Sequence, residues 1–138
     1  MNSASTFQLN ILCTLWKKPQ HRSQEKDYGP EHVNTLHKML QKQITTAFKL
    51  WCVCDDDTGI SSNIECIPFP SNVVRMPAEY PKLWPLSAEF ADIVGHGRQF
   101  LFTDLDVVIV GDLSSMVSTS DTYRFRSNYP VPHEGPTY

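Results

Sequence analysis

The segment FLFTDLDVVIV (residues 100–110) constrains the fold more than any other part of the chain. It is almost continuously apolar, as strands are when helices cover both faces of a parallel sheet. Two carboxylates, Asp104 and Asp106, interrupt it. Burying a lone carboxylate costs roughly several kcal/mol unless the group is paired, hydrogen-bonded or bound to a metal. The segment therefore predicts a buried strand whose two acidic groups need a partner.

Strand and helix patterns alternate along the chain. Apolar residues at every second position predict a strand over 7–16, and apolar residues three and four apart predict a helix over 30–44 that begins at Pro30. The other predicted elements are strands over 48–54, 63–69 and 100–110, a helix that buries Leu83, Leu86, Phe90 and Ile93 and ends at Gly95 or Gly97, and a short helical turn in GDLSSMV.

This order of elements predicts one domain over residues 1–138, with an α/β fold in which helices flank a mostly parallel sheet. In such sheets, ligands bind at the carboxyl ends of the strands. We therefore expect residues 14–16, 55–57 and 104–106 to lie along one edge of the sheet and to form a site.

Composition excludes some classes of function. A net charge of −3 gives no electrostatic reason to expect a nucleic-acid partner. The 4 cysteines fall in apolar stretches, which is typical of small buried side chains in a reducing cytosol rather than of a disulfide framework. No signal peptide and no apolar window near the ~18 residues of a membrane span is found, so we expect a cytoplasmic protein without a transmembrane segment.

The pair of acids suggests a metal site. Side chains two apart on a strand face the same side, so the carboxylates of Asp104 and Asp106 would share one space and repel. A divalent cation, Mg²⁺ or Mn²⁺, removes the conflict and completes its octahedral shell with water and phosphate oxygens. Such an ion offsets the charge of a departing nucleoside diphosphate. The alternative is a structural pair of capping or salt-bridged aspartates.

Five short blocks of the sequence follow one another in an order that is found in a known protein family. They are TLW (14–16), YGPEHVNTLHKM (28–39), CVCDDDTGI (52–60), KLW (82–84) and FLFTDLDVVIVGDL (100–113). Together they resemble the nucleotide-sugar glycosyltransferases of the GT-A fold, in particular compact bacterial and phage members. The resemblance implies a Rossmann-like GT-A domain and an enzyme that transfers a sugar, with a divalent metal, from a nucleotide donor such as a UDP-sugar. The acceptor would be a hydroxyl of a glycan, lipid or protein.

The resemblance also implies roles in binding the metal and the phosphates. Asp106 would be the direct metal ligand, and Asp104 would bridge the metal and a ribose or sugar hydroxyl. Lys82 would neutralise a phosphate or orient the sugar, with a solvated surface lysine as the alternative.

Further roles concern the nucleotide base. Thr14 and Leu15 would offer backbone contacts, and Tyr28 would stack on the base or, alternatively, only staple the start of the helix. Asp55 or Asp56 would accept a hydrogen bond from a base N–H. The alternative is that both are turn residues before Gly59, a place that Asp favours because its side chain bonds to nearby backbone groups.

The chain departs from the family pattern in two places. The loop between Trp16 and Tyr28 is longer, and complete members continue beyond the position of Tyr138. We therefore expect the amino-terminal portion of such a domain, with the catalytic residues beyond residue 138. We also expect an uncovered sheet face through which the chain self-associates.

Two other functions stay open. In a haloacid-dehalogenase-type phosphatase, the first Asp of D-x-D is the nucleophile and the second is a general acid, but the residues after 113 do not supply the further motifs of that family. A non-catalytic remnant that binds a nucleotide sugar without turnover is the other.

Overall fold

A computed structural model of the chain describes residues 8–17 and 28–116. Its elements are β1 (Leu9–Leu15), α1 (Pro30–Gln43), β2 (Phe48–Cys54), β3 (Glu65–Pro68), α2 (Ser71–Val74), a 3₁₀ helix (Tyr80–Leu86), α3 (Ala88–Val94), β4 (Leu101–Phe102) and a 3₁₀ turn (Ser114–Met116). The four strands form one sheet in the order β3-β2-β1-β4, and every pair is parallel. The predicted α/β fold with a parallel sheet and flanking helices is confirmed. Phe7, the loop after Lys17 and the tail after Met116 lie outside the described residues.

The two central strands are buried on both faces of the sheet. Odd-numbered residues of β1, such as Ile11 and Cys13, pack with α1, while Leu12 packs on the opposite side with the 3₁₀ helix and α3. This alternation follows from the pleat of a strand. All four cysteines are free thiols, three of them buried, as the apolar context predicts.

Helix α1 has the predicted apolar face. Val33, Leu36 and Leu40 are fully buried against the sheet, and Pro30 occupies the first helical turn. His37 is buried as well, with its ring 5.8 Å from that of Phe48. Burial lowers the pKa of His37, because the charged imidazolium loses its hydration.

The predicted helix that buries Leu83, Leu86, Phe90 and Ile93 is wrong in its phase. The segment is a 3₁₀ helix followed by α3, with Ser87 between them, where its hydroxyl accepts a hydrogen bond from the amide of Phe90 at 3.2 Å. A 3₁₀ helix has three residues per turn rather than 3.6, so the break changes which side chains face the sheet. Of the four residues only Phe90 is buried, and Trp84 joins it.

The predicted strand over 100–110 is also wrong in its length. Only Leu101–Phe102 pair with β1, and the chain turns at residues 105–106. Leu105, Val107 and Ile109 pack on the buried cluster between the sheet and α1, which is called the α1-side cluster. Val108 and Val110, in contrast, are 75% and 83% exposed. Over residues 103–110, the apolar run is therefore covered by the protein on one face only. The predicted strand 63–69 is likewise shorter, at Glu65–Pro68.

The far end of segment 103–113 is fixed beside the end of α1. Thr45 donates a hydrogen bond to Asp112 at 2.8 Å, and the hydroxyls of Thr46 and Ser114 lie 2.9 Å apart. The hydrogen bond from the Ser114 hydroxyl, with those from its amide and from Thr45, lowers the pKa of Asp112 to about 2. The segment thus runs from the carboxyl ends of the strands back toward their amino ends.

The two central strands of the sheet do not have the expected uncovered face. In the described part of the chain, helices and segment 103–113 cover both sides of β1 and β2. The large apolar side chains that are more than half exposed lie elsewhere, on the 3₁₀ helix at Tyr80, Leu83 and Leu86, on α3 at Ile93, and on segment 103–113 at Val108 and Val110. Self-association itself stays a prediction, but its surface would be one of these rather than the sheet.

The corrected phase of α3 has a measurable consequence. Phe90 is 2% exposed and packs between Trp84 and Phe100, whereas Ile93 is 54% exposed on the same helix. Phe90→Ala should lower the free energy of unfolding by about 3–5 kcal/mol, and the matched Ile93→Ala by no more than about 1 kcal/mol. Urea denaturation followed by circular dichroism measures both, and equal losses would contradict the described packing.

The buried His37 should make stability depend on pH. Because its pKa in the folded protein lies below 6.5, the unfolded chain binds the proton more readily. The histidine therefore costs no stability well above pH 6.5, and it destabilises the fold as the pH falls from 6.5 towards its lower pKa in the folded protein. We expect the urea midpoint to drop less between pH 7.0 and 5.5 in His37→Leu than in the wild type. A drop of the same size in both would show that His37 titrates normally.

Candidate functional site

Pairing between β1 and β4 stops short of the carboxyl edge of the sheet and leaves a stretch of β1 unpaired on that side, the crevice. In the described part of the chain, β4 pairs with Ile11 and Leu12 alone, and β1 continues to Leu15. Among the described residues, the last backbone hydrogen bond between the two strands runs from the Thr103 amide to the Leu12 carbonyl at 2.9 Å. Strands β2 and β3 extend from β1 in one direction and β4 lies in the other, so this is the point where the strand order reverses. Ligands of open α/β sheets bind at such points.

The main chain of Thr14 faces this crevice. In a parallel ladder, the N–H and C=O of successive residues point alternately to the two neighbouring strands. The Leu12 carbonyl bonds on the β4 side and the Leu15 carbonyl accepts from the Asp55 amide, at 3.3 Å, on the β2 side. The polar groups of Thr14 therefore point to the β4 side, past the residue where β4 turns away. Thr14 is placed for the predicted backbone contact, while the carbonyl of Leu15 belongs to the β1–β2 ladder.

Asp55 and Asp56 follow β2 at the same edge but have different partners. The Asp55 carboxylate accepts a hydrogen bond from the Lys17 amide at 3.0 Å and so joins the ends of β2 and β1. Asp56 accepts from the amide and the hydroxyl of Thr58, at 2.9 and 2.6 Å. The hydroxyl bond, with the amide bond, lowers the pKa of Asp56. Asp56 therefore has the turn role that was its alternative, and Asp55 is the acid nearer to β1.

Tyr28 lies at the start of α1, on this same edge. The first turns of α1 are tied to the loop after β2, because Asn34 donates to the Gly59 carbonyl and accepts from the Ser61 amide, both at 2.9 Å. Gly59 has a φ of +85°, and a side chain there would meet Pro30 at 3.0 Å. The Tyr28 ring meets His32 edge-on, with centroids 5.0 Å apart, and remains exposed. The contact with His32 at the helix start corresponds to the alternative role of Tyr28, which is to staple the start of the helix. The exposed part of the ring is the surface on which a base would stack.

Lys82 and Asp104 form the closest ion pair of the site. The Lys82 Nζ lies 2.8 Å from Asp104 Oδ1 and 3.4 Å from the carboxylate of Glu79, the residue immediately before the 3₁₀ helix. Partial burial lowers the pKa of Lys82, but the hydrogen bond and charge of Asp104, with the charge of Glu79, outweigh it and raise the pKa overall. The Lys82 side chain is 39% exposed, and its ion pair connects the 3₁₀ helix to the segment after β4. Its role towards a phosphate stays a prediction.

The two acids of D-x-D are not buried. Exposure alternates along segment 103–113, with odd-numbered side chains turned to the core and Asp104 and Asp106 turned to solvent. The Asp104 side chain is 60% exposed. Both acids follow β4 rather than sit within it, and the expectation that their carboxylates share one space stays a prediction. The desolvation cost expected from the apolar run does not arise, because only one face of the segment is covered.

The chemistry of these groups fits a weakly held hard cation. Carboxylate oxygens are ligands that Mg²⁺ and Mn²⁺ accept, and both acids are open to water. Within residues 8–17 and 28–116, no three His, Cys, Asp or Glu side chains are grouped so that they would hold a metal ion. A cation on Asp104 and Asp106 would thus take most of its ligands from water and from a bound diphosphate.

Comparison of the chain with protein-family models, curated proteins and solved structures gives no match. The resemblance to GT-A glycosyltransferases therefore stays a prediction carried by the five sequence blocks. Among the helices of the described residues, none is both long and apolar enough to cross a lipid bilayer. The cytoplasmic location also stays a prediction.

Three residues of this edge were missed by sequence reasoning. Asn34 holds the loop after β2, Lys17 donates its amide to Asp55, and Glu79 is the second partner of Lys82. Only Glu79 had a signal in the sequence, since it lies three residues before Lys82, a spacing at which side chains meet on a helix. The other two depend on contacts between distant parts of the chain.

The bond from Asp55 to the Lys17 amide can be tested by substitution. Asp55→Ala removes the only described side-chain bond between the ends of β1 and β2, and should lower the free energy of unfolding by about 0.5–1.5 kcal/mol. Asp57→Ala is the matched control, because it removes the same charge two residues further along the exposed loop. Equal effects in urea denaturation would show that charge, rather than the bond, accounts for the loss.

Proposed function

We propose that this chain binds a nucleoside-diphosphate sugar together with Mn²⁺ or Mg²⁺, as the donor site of a glycosyltransferase. The observation that supports this most is the position of Asp104 and Asp106. Both carboxylates are exposed at the carboxyl edge of a parallel sheet, where the strand order reverses. Lys82 lies beside Asp104. A site for a diphosphate and a divalent cation needs this combination of acidic and basic groups.

The base would bind over the end of β1. There the main chain of Thr14 offers hydrogen bonds, the Asp55 carboxylate accepts from an N–H, and the ring of Tyr28 offers a stacking surface. Tyr28 and Asp55 reach this edge from separate elements that the Asn34 hydrogen bonds hold together. A uracil base, with one N–H between two carbonyl groups, suits such a set.

The diphosphate would lie on the β4 side. When bound there, the cation offsets the charge that grows on the departing nucleoside diphosphate. Asp106 and Asp104 would hold it, and the Lys82 ammonium would neutralise a phosphate oxygen. Neighbouring strands are about 4.8 Å apart, so β2 and β4 lie about 10 Å apart across β1. Because β2 ends opposite Leu15 and β4 opposite Leu12, the two strand ends are about 14 Å apart, a span comparable with a nucleoside diphosphate.

Isothermal titration of UDP into the full chain tests the proposal directly. We expect binding in the presence of Mn²⁺ and none with EDTA. Release of UDP from a UDP-sugar in the presence of an acceptor would then distinguish a transferase from a protein that binds without turnover. Failure to bind UDP in either condition, in a chain shown by circular dichroism to be folded, would contradict the proposed function. Release of phosphate from a phosphomonoester would favour a phosphatase instead.

Asp106→Ala should remove metal-dependent UDP binding and leave the fold intact. Loss of groups that only support a metal ligand costs about 10–100-fold in affinity, so loss of a direct ligand should cost at least as much. The exposed carboxylate carries no described packing, so the melting temperature should change little. Glu65→Gln is the control, since this acid lies at the start of β3, away from the carboxyl edge. A collapse of the fold in Asp106→Ala would indicate a structural role.

A further inference from the structure

Lys82 is held by carboxylates from two different elements. Asp104 comes from the segment after β4, with 2.8 Å between charged atoms, and Glu79 immediately precedes the lysine's own 3₁₀ helix, at 3.4 Å. Asp104 is also one of the two acids proposed to hold the cation. The same carboxylate oxygen therefore cannot serve the ammonium and a divalent cation equally well.

The two positive charges are in conflict when both are at Asp104. An ammonium and a divalent cation a few ångströms apart repel each other, and the proximity of Lys82 should weaken the binding of a metal that arrives alone. A diphosphate changes this balance, because its negative oxygens attract both cations at once. Lysine has a flexible four-carbon stem and a point charge, so its ammonium can change partners without a change of backbone.

We propose that Lys82 is the resident counter-ion of the metal site, an inference that rests on the proposed function. Without ligands, its ammonium neutralises Asp104 and keeps the site closed to free divalent cations. When a metal and a diphosphate bind together, the metal takes Asp104 and Lys82 moves to the diphosphate. Glu79 holds the ammonium close by during the exchange. The consequence is cooperative binding of metal and nucleotide by this chain.

Lys82→Met tests this inference, because it keeps the length of the side chain and removes the charge. The affinity for Mn²⁺ alone, measured by the electron paramagnetic resonance signal of the free ion, should rise by about tenfold. The affinity for UDP at saturating Mn²⁺ should fall by about tenfold, since the ammonium no longer meets the phosphates. A lysine that only supported the fold would not move these two affinities in opposite directions.

Two further variants serve as controls. Lys82→Arg keeps the charge, so it should bind Mn²⁺ alone weakly and UDP at saturating Mn²⁺ more tightly, as the wild type does. Lys49→Met removes a lysine of similar exposure, 34% against 39% for Lys82, that pairs with Glu65 at 3.7 Å away from the carboxyl edge. It should change neither affinity. The melting temperature of each variant shows whether it is folded.

The outcomes separate this inference from the proposed function. If UDP binds with Mn²⁺ but Lys82→Met leaves the affinity for free Mn²⁺ unchanged or lowers it, the counter-ion role is wrong and the nucleotide site stands. If Lys82→Met tightens Mn²⁺ binding but UDP binds neither protein, the counter-ion role stands and the proposed function falls. If neither protein binds Mn²⁺, the counter-ion role is wrong.

Discussion

The parallel pairing of β1 with β2 is the interaction on which the rest of the structure depends. The two strands are aligned over their full length, from Leu9 opposite Phe48 to Leu15 opposite Cys54, and their side chains are buried on both faces. Helix α1 covers one face, and the 3₁₀ helix with α3 covers the other. Because the strands end level, the groups that follow them meet at one edge, where the carboxylate of Asp55 reaches the amide of Lys17.

The short length of β4 then creates the candidate site. Had this strand continued beside β1 to Leu15, it would have covered the main chain of Thr14 and directed alternate side chains of segment 103–113 into the opposite face. Instead the chain leaves after Thr103 and lays one side on the α1-side cluster. That path leaves Asp104 and Asp106 open to solvent at the strand end, where Lys82 reaches Asp104.

Local patterns predicted the elements whose burial follows their own periodicity. Helix α1 and strand β2 appear where the spacing of apolar residues placed them, and the shared carboxyl edge followed from the order of elements. The phase of the 80–94 segment was not predictable in this way, because Leu83, Leu86, Phe90 and Ile93 fit a helical period whether or not the helix changes type at Ser87. The exposure of Val108 and Val110 depends on which surface the segment meets, and the contact of Lys82 with Asp104 spans 22 residues.

Paramagnetic relaxation by Mn²⁺ tests the central claim, a shared metal and nucleotide site at this edge, most directly. In a ¹⁵N-labelled chain with UDP, Mn²⁺ broadens amide signals near the ion and leaves distant ones sharp. A metal held by Asp104 and Asp106 should give the strongest loss at residues 104–106, weaker losses at Thr14 and Lys82, and the smallest losses at Lys49 and Glu65. Loss of signal centred elsewhere, or no loss in a folded chain, would contradict a metal site formed by Asp104 and Asp106.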